Sequence, residues 1–183
     1  MNPKIRSLRN QMIAKGLDGM IITNPINIRY LTGLTAEGTL LLTSKENVFI
    51  TDSRYMETVN SFLTLEDEII AYDLRELTKY EYESYFEGCH SVGFEEGYVT
   101  YEMYKAYLVT YRVDNLVETE HIIEWNRLVK TGEEIENCKK ACSITDKAFS
   151  YIKQFIKPRQ NRKRNCHGNR KIYDNEWCRS FGI

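Results

Sequence analysis

The apolar residues of this 183-residue chain alternate, as far as Lys157, between short runs typical of buried strands and spacings typical of amphipathic helices. Such an order favours an α/β fold, a mixed sheet flanked by helices. The pattern ends at Pro158, and the charge changes there too. Residues 159–183 carry a net charge of +5, whereas residues 1–158 carry −6. The chain therefore joins two unlike pieces, and only the first has the pattern of a folded domain.

The predicted elements of the first piece begin with a helix over residues 4–15, which Gly16 ends. Asn24 and Pro25 are predicted to cap and open a short helix after the first strand, and Asp52 or Ser53 to cap a later one. The strands are expected at 19–23, 39–43, 47–51, 69–72, 91–94 and 115–118, with further helices after residue 52, near 75–86 and over 100–111.

Composition limits the class of protein and its compartment. No apolar run approaches the roughly 18–20 residues that a membrane span needs, and no apolar segment of a signal peptide follows the polar, basic residues 1–9. The five Cys are odd in number and irregularly spaced, which favours reduced thiols. We therefore expect a cytoplasmic protein that is not bound to a membrane.

A second unit is predicted after residue 128. Thr131 and Glu134 have the spacing of a capping box, which predicts the start of a helix that runs from Glu133 to about Ile156. That length, about 36 Å at 1.5 Å per residue, is long for a helix that covers a sheet. No strand is predicted to follow it, so we interpret this helix as the first element of another domain.

Four segments, by their order and spacing over residues 1–158, resemble the prolidase, creatinase and Xaa-Pro aminopeptidase family of metallopeptidases. They are Asn27-Ile-Arg-Tyr-Leu-Thr-Gly33, Thr51-Asp-Ser-Arg-Tyr55, Val92-Gly-Phe-Glu95 and Arg127-Leu-Val-Lys-Thr-Gly-Glu-Glu-Ile135. The resemblance implies that residues 1–128 form the family's creatinase-type N-terminal domain, which resembles ribonuclease H. It also implies that residues 129–158 are the linker and first helix of the catalytic domain, which the family calls the pita-bread fold.

The resemblance also suggests a site. In such enzymes the loop that holds Asp52, Arg54 and Tyr55 lies near the mouth of an active site, often that of a neighbouring subunit, where Arg54 would help to orient a peptide. A purely structural reading stays open beside it, in which Asp52 caps a helix and forms an ion pair with Arg54.

The family's chemistry requires two divalent metal ions (Mn, Co or Zn), held by two Asp, one His and two Glu, which activate a bridging water. None of those ligand motifs occurs in this sequence. We therefore expect no metal, no cofactor and no catalytic residue in this chain, and no peptide hydrolysis by it alone. For the complete enzymes, the resemblance implies a homo-oligomer and a peptide substrate with proline at the second position.

The basic tail, residues 159–183, has no helical pattern in its own frame. If its codons are A/T-rich, a shift by one base gives an amphipathic peptide that starts with a capping box and resembles the family's next helix. We therefore expect that a single-base change near codon 159 shifted the reading frame and ended translation at Ile183, and that the tail is disordered.

Cys138 and Cys142 lie one helical turn apart, with Cys166, His167 and Cys178 beyond them, but the paired spacing of a zinc site is absent, and small apolar core residues fit better. The tail lacks a nucleic-acid-binding motif, so no nucleic-acid partner is expected. The alternative to an enzyme fragment is a free-standing interaction domain that pairs with itself or with a full-length homologue.

Overall fold

The computed structural model describes residues 2–64, 68–156 and Arg170, and the chain divides into two compact units between Leu128 and Val129. Within the described ranges there are seven helices and six strands. In chain order these are α1 (Pro3–Ala14), β1 (Gly19–Ile22), α2 (Pro25–Thr32), β2 (Gly38–Thr43), β3 (Asn47–Thr51), α3 (Ser53–Phe62), β4 (Ile69–Asp73), α4 (Lys79–Ser84), β5 (Val92–Phe94), α5 (Tyr101–Thr110), β6 (Leu116–Glu118), α6 (Ile122–Leu128) and α7 (Gly132–Phe155).

The first unit is built on a six-stranded mixed sheet with the order β4-β3-β2-β1-β5-β6. Strand β2 is antiparallel to both β1 and β3, so β1 and β3 run in the same direction. The β3–β4, β1–β5 and β5–β6 pairs are parallel. The carboxyl ends of five strands therefore lie on one side of the sheet, and only β2 begins there. We call this side, which runs across the ends of the strands, the carboxyl edge. The predicted mixed sheet flanked by helices is confirmed.

Both faces of the sheet are covered because successive side chains of a strand point to opposite sides. On one face, Leu40, Leu42 and Phe49 pack in a core with Ile5 and Leu8 of α1. On the other face a second core contains the intervening strand residues and three further aromatic residues, namely Ile21, Leu41, Val48, Ile50, Phe86, Phe94 and Tyr111.

The helix starts follow the predicted caps. Asn24 accepts a hydrogen bond from the backbone of Ile26, and Pro25 is at the first position of α2. Asp52 rather than Ser53 caps α3. Helix α2 ends at Gly33, whose φ of 80° lies in the left-handed region that glycine adopts without steric cost.

The structure corrects two details of the predicted order. The helix expected near 75–86 is only Lys79–Ser84, because Thr78 and Glu81 form a capping box that fixes its start. Helix α6, Ile122–Leu128, was not predicted: its buried side chains, Ile122 and Ile123, are adjacent in sequence and do not repeat at helical spacing.

The second unit contains the long helix α7, which begins with the predicted capping box of Thr131 and Glu134. Ile144 and Ala148 are buried, whereas Phe149 is exposed. Cys138 and Cys142 are exposed as well, so their interpretation as core residues is wrong for this structure. No helix in the described ranges is long and apolar enough to cross a membrane. The basic tail and its expected change of frame lie outside the described residues, apart from Arg170.

Candidate site at the carboxyl edge of the sheet

Polar residues gather where the parallel strands end. Asp52 follows β3, Asp73 is the last residue of β4, and Glu95 follows β5. Thr51 and Asp73 are paired in the β3–β4 register, so the ends of these two strands are neighbours. Open α/β sheets commonly bind ligands outside the carboxyl ends of their strands, which makes this edge the first place to look for a site.

The structure brings together the three residues that the sequence singled out. Oδ1 of Asp52 accepts hydrogen bonds from the backbone N–H and the Nε of Arg54, both at 2.9 Å. These bonds hold the pKa of Asp52 below its usual value. The Arg54 guanidinium lies 5.5 Å from the centre of the Tyr55 ring.

The expected cap and ion pair therefore both exist. They orient Arg54 without burying it, since 71% of its side chain is exposed. The Nε of Arg54 donates to Asp52 and the guanidinium lies over the Tyr55 ring, and its terminal N–H groups can donate to an anionic or carbonyl oxygen of a ligand.

A second turn of the same design, which the sequence reasoning missed, follows the next strand. Oδ1 of Asp73 accepts hydrogen bonds from the backbone N–H of Arg75 at 2.9 Å and from its Nε at 3.4 Å, and Oδ2 accepts one from Nη2 at 3.2 Å. Asp73 is buried, but 70% of the Arg75 side chain is exposed. The bonds from Arg75 lower the pKa of Asp73.

The two turns are electrically coupled. The positive charge of Arg75 contributes to the lowering of the Asp52 pKa, although less than the bonds from Arg54 do. The signal in the sequence was a repeat: Asp-Ser-Arg at 52–54 and Asp-Leu-Arg at 73–75 each begin at the end of a strand. This edge therefore presents two exposed guanidinium groups, each held at its base by an aspartate.

Beneath the same edge, Glu95 organises a buried polar network. Its Oε2 accepts hydrogen bonds from the backbone N–H groups of Thr23 at 2.6 Å and Asn24 at 2.8 Å, and its Oε1 accepts one from Nδ2 of Asn27 at 2.7 Å. Burial raises the pKa of Glu95, and the donated bonds partly offset this effect. The network ties the end of β5 to the segment that joins β1 to α2.

Asn27 extends the network to α6. Its Nδ2 also donates to Oε1 of Glu124 at 2.6 Å, and its Oδ1 accepts a hydrogen bond from Nη1 of Arg127 at 3.0 Å. Asn27, Glu95 and Arg127 come from three of the four segments that carried the sequence resemblance. These three residues therefore have a structural role, because the buried side-chain amide of Asn27 connects the segments that contain them.

The carboxylates at this edge do not suit a pair of divalent metal ions. Asp52 and Asp73 are bound by arginines, and Glu95 accepts three N–H bonds. Within residues 2–64, 68–156 and Arg170, no three His, Cys, Asp or Glu side chains lie close enough together to hold a metal ion.

A separate cavity of about 410 Å³ lies between the sheet and α4. Its lining combines apolar strand residues with tyrosines and charged side chains, among them Leu41, Val48, Ile50, Tyr72, Tyr82 and Tyr85. Burial raises the pKa of Tyr85, whose hydroxyl is within hydrogen-bond distance of the backbone oxygens of Leu41 and Glu46. These tyrosines act as half-buried packing groups rather than as reactive ones.

Comparisons with known proteins point to one family. The model of the Creatinase/Prolidase N-terminal domain matches residues 4–129. An uncharacterized peptidase of Bacillus subtilis, YqhT, is 36% identical over 162 residues, which are 85% of this chain and 44% of that protein. The chain thus spans less than half the length of this curated relative.

Solved structures agree in fold. The Xaa-Pro dipeptidase from Bacillus anthracis superposes with a TM-score of 0.80 at 29% identity, over 94% of this chain and 48% of the other. The N-terminal domain of the cytoplasmic peptidase PepQ from Mycobacterium tuberculosis has a TM-score of 0.57 at 29% identity, over 68% of this chain and 98% of the other.

Proposed function

This chain belongs to the creatinase/prolidase N-terminal domain family, and on that basis we propose that it is the N-terminal part of a metal-dependent Xaa-Pro peptidase. The observation that carries the proposal is the exposed Arg54 guanidinium, fixed by Asp52 at the carboxyl edge of the sheet. The likeness to the 29%-identical Xaa-Pro dipeptidase from Bacillus anthracis supports the choice of a peptide with proline at the second position.

Under this proposal Asp52, Arg54 and Tyr55, at the carboxyl edge of the sheet, are part of the rim of an active site. Arg75 is part of the same rim. A bound dipeptide ends in a carboxylate one residue beyond the scissile bond. A guanidinium can bind that carboxylate through two parallel hydrogen bonds, which fixes the orientation of the peptide. Asp52 is a positioning residue here, because it acts on the peptide only through Arg54.

Bond cleavage takes place elsewhere in the complete enzyme. In the complete enzyme the family's two metal ions would supply the activation of the attacking water, and we assign no residue described for this chain to hold them. Residues 129–158, with α7, form the linker and first helix of that catalytic domain. The N-terminal domain supplies contacts between subunits of a homo-oligomer, and the PepQ relative supports a cytoplasmic location.

A domain exchange tests this function. Residues 1–158 would replace the matching part of the Bacillus anthracis dipeptidase, and hydrolysis of Xaa-Pro dipeptides would be measured with Mn²⁺ beside the unaltered enzyme. We expect the exchanged enzyme to be active and the 183-residue chain alone to be inactive. Metal-dependent release of the first residue by the 183-residue chain alone would refute the assignment of catalysis to another domain.

A further inference from the structure

The cavity of about 410 Å³ between the sheet and α4 has no part in the proposed peptidase function. Two of its lining residues, Lys45 and Glu46, belong to the turn that joins β2 to β3, on the side of the sheet opposite the carboxyl edge. Among the described lining residues, neither Arg54 nor Arg75 occurs. The volume is within the range of about 300–1,000 Å³ that small-molecule sites have. The cavity is therefore a second place to look for a ligand.

Tyrosine side chains that bond the backbone form part of the wall. The Tyr85 hydroxyl lies 3.2 Å from the carbonyl oxygen of Leu41 and 3.3 Å from that of Glu46. The Tyr82 hydroxyl donates to the carbonyl of Leu74 at 3.4 Å. Because both rings are held at their hydroxyl ends, their faces are in place before a ligand arrives, and little conformational entropy would be lost on binding.

The buried part of the lining is apolar. Leu41 of β2 and Val48 and Ile50 of β3 belong to the second core and line the cavity. Tyr72 of β4 is paired with Ile50 and is 37% exposed, so it extends this surface toward solvent. Helix α4 has only six residues and leaves this part of the sheet incompletely covered. A ligand that fills the cavity must therefore have an apolar or aromatic body.

The exposed part of the lining, which we call the acidic rim, has three carboxylates, those of Glu46, Glu81 and Glu87, and one ammonium group, that of Lys45. Hydrogen bonds from Thr78 to Oε2 of Glu81 lower the pKa of that carboxyl, which keeps it charged. Within the part of the chain that the structure describes, no ion pair neutralises Glu46 or Glu87. Such a rim attracts a cation and repels an anion.

We propose that this cavity binds a small organic cation, an amine with an aromatic body. The aromatic body packs against the Tyr82 and Tyr85 rings and the buried strand residues, and the ammonium group meets the carboxylates of Glu46 and Glu87. Tyrosine faces also attract a cation through their ring quadrupole, so adjacent surfaces recognise both parts of the ligand. A neutral aromatic molecule satisfies only the apolar surface, and an inorganic cation satisfies only the acidic rim.

This inference goes beyond the proposed peptidase function and does not need it. An inactive domain-exchanged enzyme would leave amine binding untouched. Absence of amine binding would likewise leave the result of the domain exchange untouched. The two proposals therefore fail separately.

A matched series of indole compounds tests the chemistry of the ligand. Tryptamine, indole-3-ethanol and indole-3-acetate share one ring and carry a positive, a neutral and a negative chain. Each would be titrated into the 183-residue chain by isothermal titration calorimetry. We expect tryptamine to bind with a dissociation constant below about 1 mM, indole-3-ethanol about 10-fold more weakly, and indole-3-acetate more weakly still. No tryptamine binding up to about 5 mM, or indole-3-ethanol binding as tightly as tryptamine, would overturn the proposal.

Neutral side chains in the acidic rim should weaken binding and preserve the fold. In the double variant Glu46→Gln, Glu87→Gln two exposed carboxylates are lost, and we expect the dissociation constant of tryptamine to rise by about 10-fold. Glu57→Gln, Glu102→Gln is the matched control, since both residues are exposed and lie outside the lining. A rise no larger than that of the control would contradict binding of the ammonium group at this rim.

A filled cavity tests the location. Ser84, the last residue of α4, lines the cavity, so the larger side chain of Ser84→Phe should occupy it and abolish tryptamine binding. Ser61→Phe on α3 is the matched control, because both serine hydroxyls donate to the carbonyl three residues earlier. Unchanged affinity in a Ser84→Phe chain that circular dichroism shows to be folded would overturn the site. If Ser84→Phe does not fold, the glutamate variant decides, since its changes are confined to exposed side chains.

Discussion

The side-chain amide of Asn27 donates a 2.7 Å hydrogen bond to the buried carboxylate of Glu95, and this bond joins helix α2 to the end of strand β5. The same amide bonds Glu124 and Arg127 of α6. Three separate parts of the chain thus meet at one completely buried side chain.

Asn27→Ala should lower the free energy of unfolding by about 2–3 kcal/mol, because it removes the hydrogen bond to Oε1 of the buried Glu95 and the acceptor of the half-buried Arg127. Chemical denaturation would measure the change. Asn60→Ala, on the exposed surface of α3, is the matched control and should change stability by about 0.5 kcal/mol or less. A loss for Asn27→Ala as small as that of the control would show that the network does not hold these elements together.

Gly33→Ala tests the left-handed end of α2. The substitution should cost about 1–2 kcal/mol from backbone strain, and an added Cβ would lie 2.9 Å from the Phe62 ring. Gly16→Ala, also at positive φ but with open space around it, isolates the strain alone. Thermal melts should show a larger loss for Gly33→Ala than for Gly16→Ala, and equal losses would rule out the contact with Phe62.

The Asp73–Arg75 turn predicts a specific loss of stability in acid. The pKa of Asp73 is lower in the folded chain than its ordinary value of 3.8, so the folded state favours the charged carboxylate. Its stabilisation is present above that ordinary pKa and disappears as pH falls through the folded value. The melting temperature of Asp73→Asn should lie below that of the unaltered chain at pH 7 and approach it below pH 3.

Arg75→Ala provides the check on cause, because it removes the side-chain donor that lowers this pKa most and keeps the backbone N–H of residue 75, which also lowers it. The variant should therefore show a smaller loss at pH 7 than Asp73→Asn and should likewise approach the unaltered chain in acid. Melting curves for Asp73→Asn that stay parallel to those of the unaltered chain from pH 7 to pH 2.5 would mean that the ion pair does not stabilise the fold.

The sequence predicted the local elements better than it predicted the relations between them. Apolar periodicity and caps gave the strands and most helices, because those signals lie within a few residues of each other. The Glu95 network joins residues about 70 to 100 positions apart, and no local pattern reports such a contact. The motif residues were recognised, but the reason that they occur together became visible only in the fold.

The candidate edge shows the same limit. Asp52, Arg54 and Tyr55 were singled out through a family resemblance, whereas Asp73 and Arg75 were missed. The second turn is significant only because β3 and β4 are adjacent and parallel, which places two Asp-x-Arg turns side by side. Helix α4 was predicted too long because the turn at Asp73 precedes it and the capping box of Thr78 and Glu81 starts the helix only at Lys79.

The gene sequence tests the interpretation of the basic tail. When the nucleotides after codon 158 are translated with the frame moved by one base, we expect an amphipathic helix followed by segments with the family's metal ligands. Independent resequencing of genomic DNA is the measurement. A shifted frame that soon reaches stop codons and contains no such ligands would contradict the expected change of frame.

The central claim is that Arg54 forms part of the rim of a peptidase site, and steady-state kinetics of the domain-exchanged enzyme test it most directly. Arg54→Ala should lower kcat/KM for an Xaa-Pro dipeptide by about 10- to 100-fold, mainly through KM, because a charge-assisted bond to the bound peptide is lost. Arg112→Ala is the control, since Arg112 is similarly exposed beyond the end of α5. Equal kcat/KM values for the Arg54→Ala and Arg112→Ala enzymes would contradict the claim.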